Sequence, residues 1–475
     1  MKLAHQIAWN VFAGAAGKIA IAFLGLFILG MLTRSLGPAD FGHYRTILTY
    51  LVLTGMFSHF GTNTIALREI SRIDTKQENI IGNAITFRLT VTLLTLLTSA
   101  AIAPLFEFEP IVLKGILVGL FGWLAYLTNE VITAVFHNKL KQHLASIAEV
   151  TGTAFTCIMV FLFASLDMGL LAMLGALASG QLLTVCIAGI FANRLIPLRL
   201  QIDWNNWSYL IKAGWPIGAS VILELIILRG DTMLLAILSP AEDVGFYGVG
   251  IKIFEILISI PPLFAALMMP LFVQSVALPE KFRHYTNSSL KIMMLVAVFV
   301  CCVLLQFSND IILLIAGNQF EQSGIVIGIL APAVIIVYIN ILFRFALTAA
   351  GKQTAMFKAD LFGLLIAIPG YLILIPMWSY EGAAWAKVSA YVAILLVSSA
   401  VMIREEKIDI APGTILKLSM TGLLTVYTFT ELDHLDIHWI LNIILGGILY
   451  IVVSLLTGIL RINDLRLLRK NPEST

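Results

Sequence analysis

The sequence predicts an all-α polytopic membrane protein. It has fourteen transmembrane helices arranged as two pseudo-symmetric six-helix lobes plus two C-terminal helices, with the N- and C-termini cytoplasmic. Three observations carry this. Only 12% of the 475 residues are charged while 59% are hydrophobic, about half the charge of a soluble protein, where about 25% is usual. Fourteen apolar stretches are long enough to cross a bilayer, which takes about 20 residues of helix. Lys and Arg alternate along this ladder. With charges in the first five residues of a span counted with the gap before it, the N-terminal tail, every second gap and the C-terminal tail hold 22 of the 30, the other seven gaps hold Arg34, Arg45 and Lys114, and 5 lie deeper inside spans. Loops rich in Lys and Arg stay cytoplasmic, so the alternation both orients the chain and checks the span count.

The stretches are 9–33, 44–66, 84–105, 112–136, 145–166, 169–193, 213–238, 246–272, 287–308, 322–347, 355–376, 381–403, 414–431 and 438–460. Each must be a helix, because a helix satisfies its own backbone in lipid. The first run continues past Leu29 with no small-residue cleavage site, so it reads as a retained span and not a signal peptide. The cytoplasmic gaps run Arg68 to Arg88, Lys139 to Lys141, Arg194 to Lys212, Lys281 to Lys291, Lys352 to Lys358 and Arg404 to Lys417, followed by the tail with Arg461, Arg466, Arg469 and Lys470. The opposite gaps are short and acidic or neutral, as at Asp167, Glu242-Asp243 and Glu381. The expected domains are an N-terminal lobe over 1–200, a C-terminal lobe over 201–403, and two additional helices with a cytoplasmic tail over 404–475.

An internal repeat supports the two lobes. Leu36-Gly37-Pro38-Ala39-Asp40-Phe41-Gly42-His43-Tyr44 follows the first span, and Leu238-Ser239-Pro240-Ala241-Glu242-Asp243-Val244-Gly245-Phe246-Tyr247 follows the seventh. With one inserted residue, a Leu-x-Pro-Ala-acid…Gly-x-Tyr skeleton recurs after six spans. Six is even, so both halves start on the same face. They are expected to be related by an axis along the membrane normal, with a cavity between them at the midplane.

Several of these motifs resemble those of the polysaccharide transporters, lipid-linked oligosaccharide flippases of the multidrug/oligosaccharidyl-lipid/polysaccharide exporter superfamily. The resemblance rests on Arg34-Ser35-Leu36-Gly37-Pro38-x-x-Phe41-Gly42-x-Tyr44, Phe60-Gly61, Arg68-Glu69, Asp231, Val244-Gly245-Phe246-Tyr247 and Gly382-Ala383-Ala384-Trp385-Ala386. It covers the whole chain, including the 6+6+2 layout. It implies alternating access by two lobes around a central cavity and a polyprenyl-diphosphate-linked oligosaccharide as substrate. It also implies residence in the cytoplasmic membrane among its lipids. A polysaccharide polymerase and chain-length machinery are the expected protein partners.

Charges within spans are costly in a bilayer and are therefore functional candidates. Lys18 lies near the middle of the first span with no acidic residue within four positions. In the family it resembles, the first helix lines the cavity and carries a cation for the diphosphate. Span 7 carries Glu224, Arg229 and Asp231, and span 8 carries Lys252 and Glu255. Antiparallel spans bring Arg229, Asp231, Lys252 and Glu255 to one depth, where they are expected to form one polar cluster. Substrate binding is assigned to Lys18, Arg229 and Lys252. Gating or ion coupling is assigned to Glu224, Asp231, Glu255, Glu130 and Arg344, the last two pairing across a cytoplasmic mouth. Snorkelling accounts for Lys387, and for Arg344 if it does not pair. Pro261-Pro262 interrupts span 8 and is the expected hinge. With Pro332 and Pro369 also in the C-terminal half, bending is expected to concentrate there. Asn63, Thr64, Asn129, Gln181, Tyr338 and Asn340 could donate to sugar hydroxyls or join helices.

Other classes are disfavoured. A net charge of +2 gives no nucleic-acid footprint. Cys157, Cys186, Cys301 and Cys302 all fall in apolar spans and read as inert buried thiols, without disulfide or metal spacing. No cofactor and no metal are expected. No Walker motif, Ser/His/Asp arrangement or large loop for a catalytic domain is present, which argues against a membrane enzyme of polysaccharide assembly. An ion-coupled multidrug extruder remains the main alternative. A lipid II flippase is less favoured, because its more Arg-rich cavity pattern is not obvious here.

Overall fold

The computed structural model describes residues 2–72, 76–406, 412–435 and 437–459. The expected cytoplasmic charges from Arg461 to Lys470 fall outside them. The described chain is all-helical. In order its helices are α1 Lys2–Gly55, α2 Thr62–Ile70, α3 Gln77–Ile102, α4 Pro110–Asn138, α5 Gln142–Ser165, α6 Gly169–Asn193, α7 Trp204–Leu238 and α8 Ala241–Ile258. Then follow α9 Pro261–Ser275, α10 Pro279–Ile315, α11 Ser323–Ala349, α12 Gln353–Glu405, α13 Pro412–His434 and α14 Trp439–Leu456. Among the described residues, 10 segments are long and apolar enough to cross a membrane. The helices begin where their chemistry dictates. Pro110 and Pro261 need no backbone donor in a first turn. Asp203 caps α7 by accepting from the Asn205 N–H at 2.9 Å.

The chain divides into two compact units, 1–248 with 315–320 and 249–314 with 321–475. In the first, the expected loop after span 1 is nearly continuous helix. Only Gly37 departs from helical geometry, at φ 69° and ψ 177°, and helix resumes at Pro38. Glycine tolerates that conformation, and proline fits the first turn beyond it. Span 2 is the larger correction, because it is broken. After Gly55 come a single 3-10 turn (Met56–Ser58) and then Phe60 and Gly61, both at positive φ, before α2 begins. The break packs against α7 at Gly214 and Gly218, where a Cβ would press on the Phe60 backbone. Bending is therefore not concentrated in the C-terminal half. Arg45, expected in a loop, is 6% exposed and packs against Gly248.

In the second unit helical geometry is interrupted at Pro261-Pro262, at Phe307 in α10 and at Ser379. α8 stops at Ile258 and α9 restarts at Pro261-Pro262, as the sequence indicates. Pro270 lies inside α9, Pro332 inside α11, and Pro369 and Pro376 inside α12. α12 itself breaks at Ser379 (φ 46°), where the sequence places the turn between spans 11 and 12. The last two helices dock on α10. Tyr450 donates to the Leu295 carbonyl at 2.7 Å, and Phe307 packs edge-on to Phe429. Cys301 and Cys302 are buried here, whereas Cys186 on α6 is exposed and so is not a buried thiol.

Candidate functional site in the first unit

The broken second span leaves backbone carbonyls without helical partners, and such groups must be satisfied elsewhere. Arg88 on α3 does this. It is 1% exposed. Its Nη1 donates to the carbonyls of Ser58 (2.6 Å) and His59 (3.0 Å), its Nε to the carbonyl of Leu127 (3.1 Å), and its Nη2 to Glu130 Oε2 (2.6 Å). A guanidinium offers five donors in a fixed fork, which suits four acceptors on two segments, the break and α4. His59 Nε2 lies 3.3 Å from the same Glu130 oxygen. Glu130 and His59 remain about one quarter exposed, so the knot runs from the core to one accessible edge.

That edge continues along α4. Trp123, Tyr126, Glu130 and His137 recur at helical spacing and share one face. Trp123 stacks on Tyr126 with ring centroids 4.9 Å apart. Tyr126 feels the charges of Glu130, Glu149, Arg88 and Arg229, so α3, α4, α5 and α7 contribute to one electrostatic neighbourhood. Lys18 joins it from α1. It is exposed and within Coulomb range of Glu149 on α5 and His137 on α4. The close approach of Gly17 to Ser146 explains how α1 brings Lys18 there. The buried side-chain oxygens of Asn63 and Asn129 and the Trp123 Nε1 have no hydrogen-bond partner among the described residues. The resulting neighbourhood carries two exposed or half-buried cations, Lys18 and Arg229, two carboxylates, Glu130 and Glu149, and the rings of Trp123 and Tyr126. It can hold a headgroup that is both anionic and polar.

The remaining candidates are distributed as follows. Asp231 is fully buried and accepts from the Tyr247 hydroxyl at 2.5 Å and from the Thr232 N–H at 2.6 Å, so it is tied to the second repeat motif. Arg229 is half-buried and Glu224 exposed on the same helix. In the second unit, Lys252 and Glu255 face each other along α8 at 4.0 Å. Arg344 pairs with Asp360 at 2.7 Å. Within the first unit Glu130 is partnered by Arg88, and within the second Arg344 is partnered by Asp360. Lys387 is 2% exposed and does not snorkel. Tyr338 donates to the Leu257 carbonyl and Asn340 to that of Tyr391, so both act as interhelical ties. In the gap after α11, burial opposes the charge of Lys352, yet Glu406 and Glu405 hold its ammonium above the usual lysine range.

The two repeat motifs meet. A Cβ on Gly42 would collide with the Ala241 carbonyl, and a Cβ on Gly245 would collide with the Pro38 carbonyl. Each copy's glycine therefore receives the other's backbone. Phe320 fills the space beside them, edge-on to Phe41 (5.7 Å) and Phe246 (6.2 Å).

The sequence reading missed Arg88 because it was counted among cytoplasmic charges at the edge of span 3. The available signal was its position eleven residues into a continuous helical pattern starting at Gln77. The Gly214-x-x-x-Gly218 spacing, a known mark of close backbone approach, was likewise available. Among the described residues, no group of three His, Cys, Asp or Glu is placed to hold a metal ion.

Comparison with known proteins places this architecture. The fold resembles that of a lipid II flippase, MurJ, in an inward closed conformation, with a TM-score of 0.76 at 12% identity over 93% of this chain and 97% of that one. It also resembles an inward-facing multidrug resistance MATE transporter of the MOP superfamily, with a TM-score of 0.67 at 13% identity over 83% and 98%. A Vibrio cholerae MATE transporter matches with a TM-score of 0.58 at 15% identity over 85% and 98%. No protein of curated function matches the sequence. A family model described as polysaccharide biosynthesis protein matches residues 31–325, well over half of the chain. On that match, and with a fold shared with exporters of the MOP superfamily, the chain belongs to the polysaccharide biosynthesis protein family.

Proposed function

We propose that the protein is a flippase that moves a polyprenyl-diphosphate-linked oligosaccharide across the cytoplasmic membrane for cell-surface polysaccharide synthesis. The observation that carries this reading is the polysaccharide biosynthesis family match on a chain whose fold a lipid II flippase shares almost end to end. In this reading the chain crosses the membrane fourteen times, because α1 and α12 each make two passes about Gly37 and Ser379. Both termini are cytoplasmic. Lys18 and Arg229, with Lys252, receive the diphosphate. Asn63 and Asn129 meet sugar hydroxyls, and the polyprenyl tail stays in lipid between helices. The lobes rock in alternating access, with Pro261-Pro262 as one hinge. Glu130, Glu224, Asp231, Glu255 and Arg344 set the gates or couple an ion.

The test is where the lipid-linked intermediate resides when the protein is depleted. The expected result is accumulation on the cytoplasmic leaflet, shielded from an added membrane-impermeant glycosidase. Unchanged accessibility would sink the reading. The MATE likeness favours one alternative, ion-coupled multidrug extrusion. Resistance to cationic dyes conferred in a sensitised strain, with normal glycan export, would favour it instead.

A further inference from the structure

The segment joining α6 to α7 is an extended strap fastened to α3. Asn79, Gly82, Asn83 and Thr86 lie on one face of that helix. Asn83 Oδ1 accepts from the Asp203 N–H at 2.8 Å, and Thr86 Oγ1 accepts from the Gln201 N–H at 3.2 Å. Gln201 Nε2 donates to Asn79 Oδ1 at 3.2 Å. A Cβ on Gly82 would collide with the Arg199 carbonyl, so the strap lies directly on the helix. Its inward side is therefore spent on hydrogen bonds. Alternate residues of an extended chain point the other way. Leu200, Ile202 and Trp204 are accordingly 65%, 64% and 74% exposed, although Trp207, one turn on, is 8% exposed in the core. Arg194, Arg199 and Lys212 flank this row and are exposed. The lone acid of the strap, Asp203, is occupied as the α7 cap.

A row of three large apolar side chains, ending in a tryptophan at the first turn of a membrane-entering helix and flanked by cations, matches one environment. Tryptophan concentrates at the headgroup level, and Lys/Arg groups beside it bind anionic lipid. We propose that residues 197–204 form an interfacial anchor. In it, Leu200, Ile202 and Trp204 enter the acyl boundary of an anionic leaflet, and Arg194, Arg199 and Lys212 bind its lipid phosphates. The anchor fixes the start of α7, the helix that carries Glu224, Arg229 and Asp231, at a set depth. It depends only on membrane residence and stands whether or not the substrate is a lipid-linked glycan.

The test places an environment-sensitive fluorophore on Ile202→Cys in the full-length chain, with the four native cysteines replaced, reconstituted in lipid nanodiscs. Brominated phosphatidylglycerol and brominated phosphatidylcholine are the quenchers. The expected result is quenching by both, stronger by the anionic lipid. Removing one flanking cation, by Arg199→Gln or Lys212→Gln, lowers the preference for the anionic lipid by up to about fivefold. A probe on Leu200→Cys repeats the measurement if the first variant fails to fold. An unquenched, water-like probe at both positions overturns the proposal, and so does equal quenching by the two lipids. Shielding that disappears when each disc holds one copy also overturns it, since the strap would then be a contact between copies.

Discussion

The Gly55–Gly61 break in the first unit and the Pro261-Pro262 break in the second are made by different means. In the second unit, α9 restarts at Pro261-Pro262, and Pro270, Pro332, Pro369 and Pro376 lie inside helices, beside two breaks without proline at Phe307 and Ser379. A proline bend is covalent, since the missing N–H and the ring clash are present in every state. In the first unit, the break from Gly55 to Gly61 contains no proline. It is held by Arg88, which donates to the consecutive carbonyls of Ser58 and His59 in the break and also to Glu130. Such a joint exists only while its hydrogen bonds do. The difference separates permanent shape from releasable shape. It also puts the releasable joint beside the exposed charges that the proposed substrate would meet.

The largest expected effect comes from cutting the knot. Arg88→Met withdraws the guanidinium from the carbonyls of Ser58, His59 and Leu127 and from Glu130, and removing one partner of a buried pair costs about 3–5 kcal/mol. The thermal midpoint of the purified protein should fall steeply. Arg88→Lys should recover only part of the loss, because an ammonium cannot span the fork. The matching change in the second unit is Arg344→Met. Its side chain is 42% exposed, so screening leaves about 0–1 kcal/mol. Comparable losses for the two variants would erase the distinction drawn between the units.

A smaller effect tests the joint from its other side. Gly214→Ala would drive a methyl group into the Phe60 carbonyl, and Gly218→Ala would press on the Phe60 Cα. Overpacking of this kind costs about 1–3 kcal/mol. The expected order is a larger loss at Gly214, where the obstacle is the carbonyl oxygen itself, than at Gly218. The joint is mobile if hydrogen exchange at residues 56–61 rises in these variants while that of α9 stays unchanged. Equal exchange at the two sites would mean that the proline bends and the Arg88 joint are equally rigid.

The fold was legible where hydrophobic length decides it. The helical class, the Pro261-Pro262 interruption and the recurring Gly-x-Tyr motif all follow from local pattern. What pattern conceals is the partner of a polar group. Arg88 looked like an interface charge because hydropathy scores a buried arginine and a loop arginine alike. Only the break in span 2, whose Ser58 and His59 carbonyls accept from its guanidinium, shows why it is inside. The break itself is marked by Phe60-Gly61, yet a single Gly inside an apolar run is ambiguous between close packing and a turn. Lys387 and Arg45 were misjudged for the same reason. Lys18 was correctly seen as lacking a local counter-charge, but its neighbours Glu149 and His137 come from other helices and leave no trace in its sequence context.

Lys18 gives the smallest expected effect on stability and the sharpest on transport. Its side chain is exposed on the first unit and is no part of the Arg88 knot. Substituting an exposed group of this kind is expected to change stability by no more than about 0.5 kcal/mol. Lys18→Ala should therefore keep the thermal midpoint and the expression level of the parent while abolishing surface polysaccharide. Lys18→Arg should restore export, because a guanidinium also binds phosphate. Such an outcome would divide the charges of the first unit into two sets, with the buried ones shaping the joint and the exposed one serving the cargo. Normal polysaccharide in Lys18→Ala would remove Lys18 from the cargo site and leave Arg229 to carry that role. A lowered midpoint would show instead that its Coulomb attraction to Glu149 helps hold α1 against α5, which makes the exposed charge structural and dissolves the division.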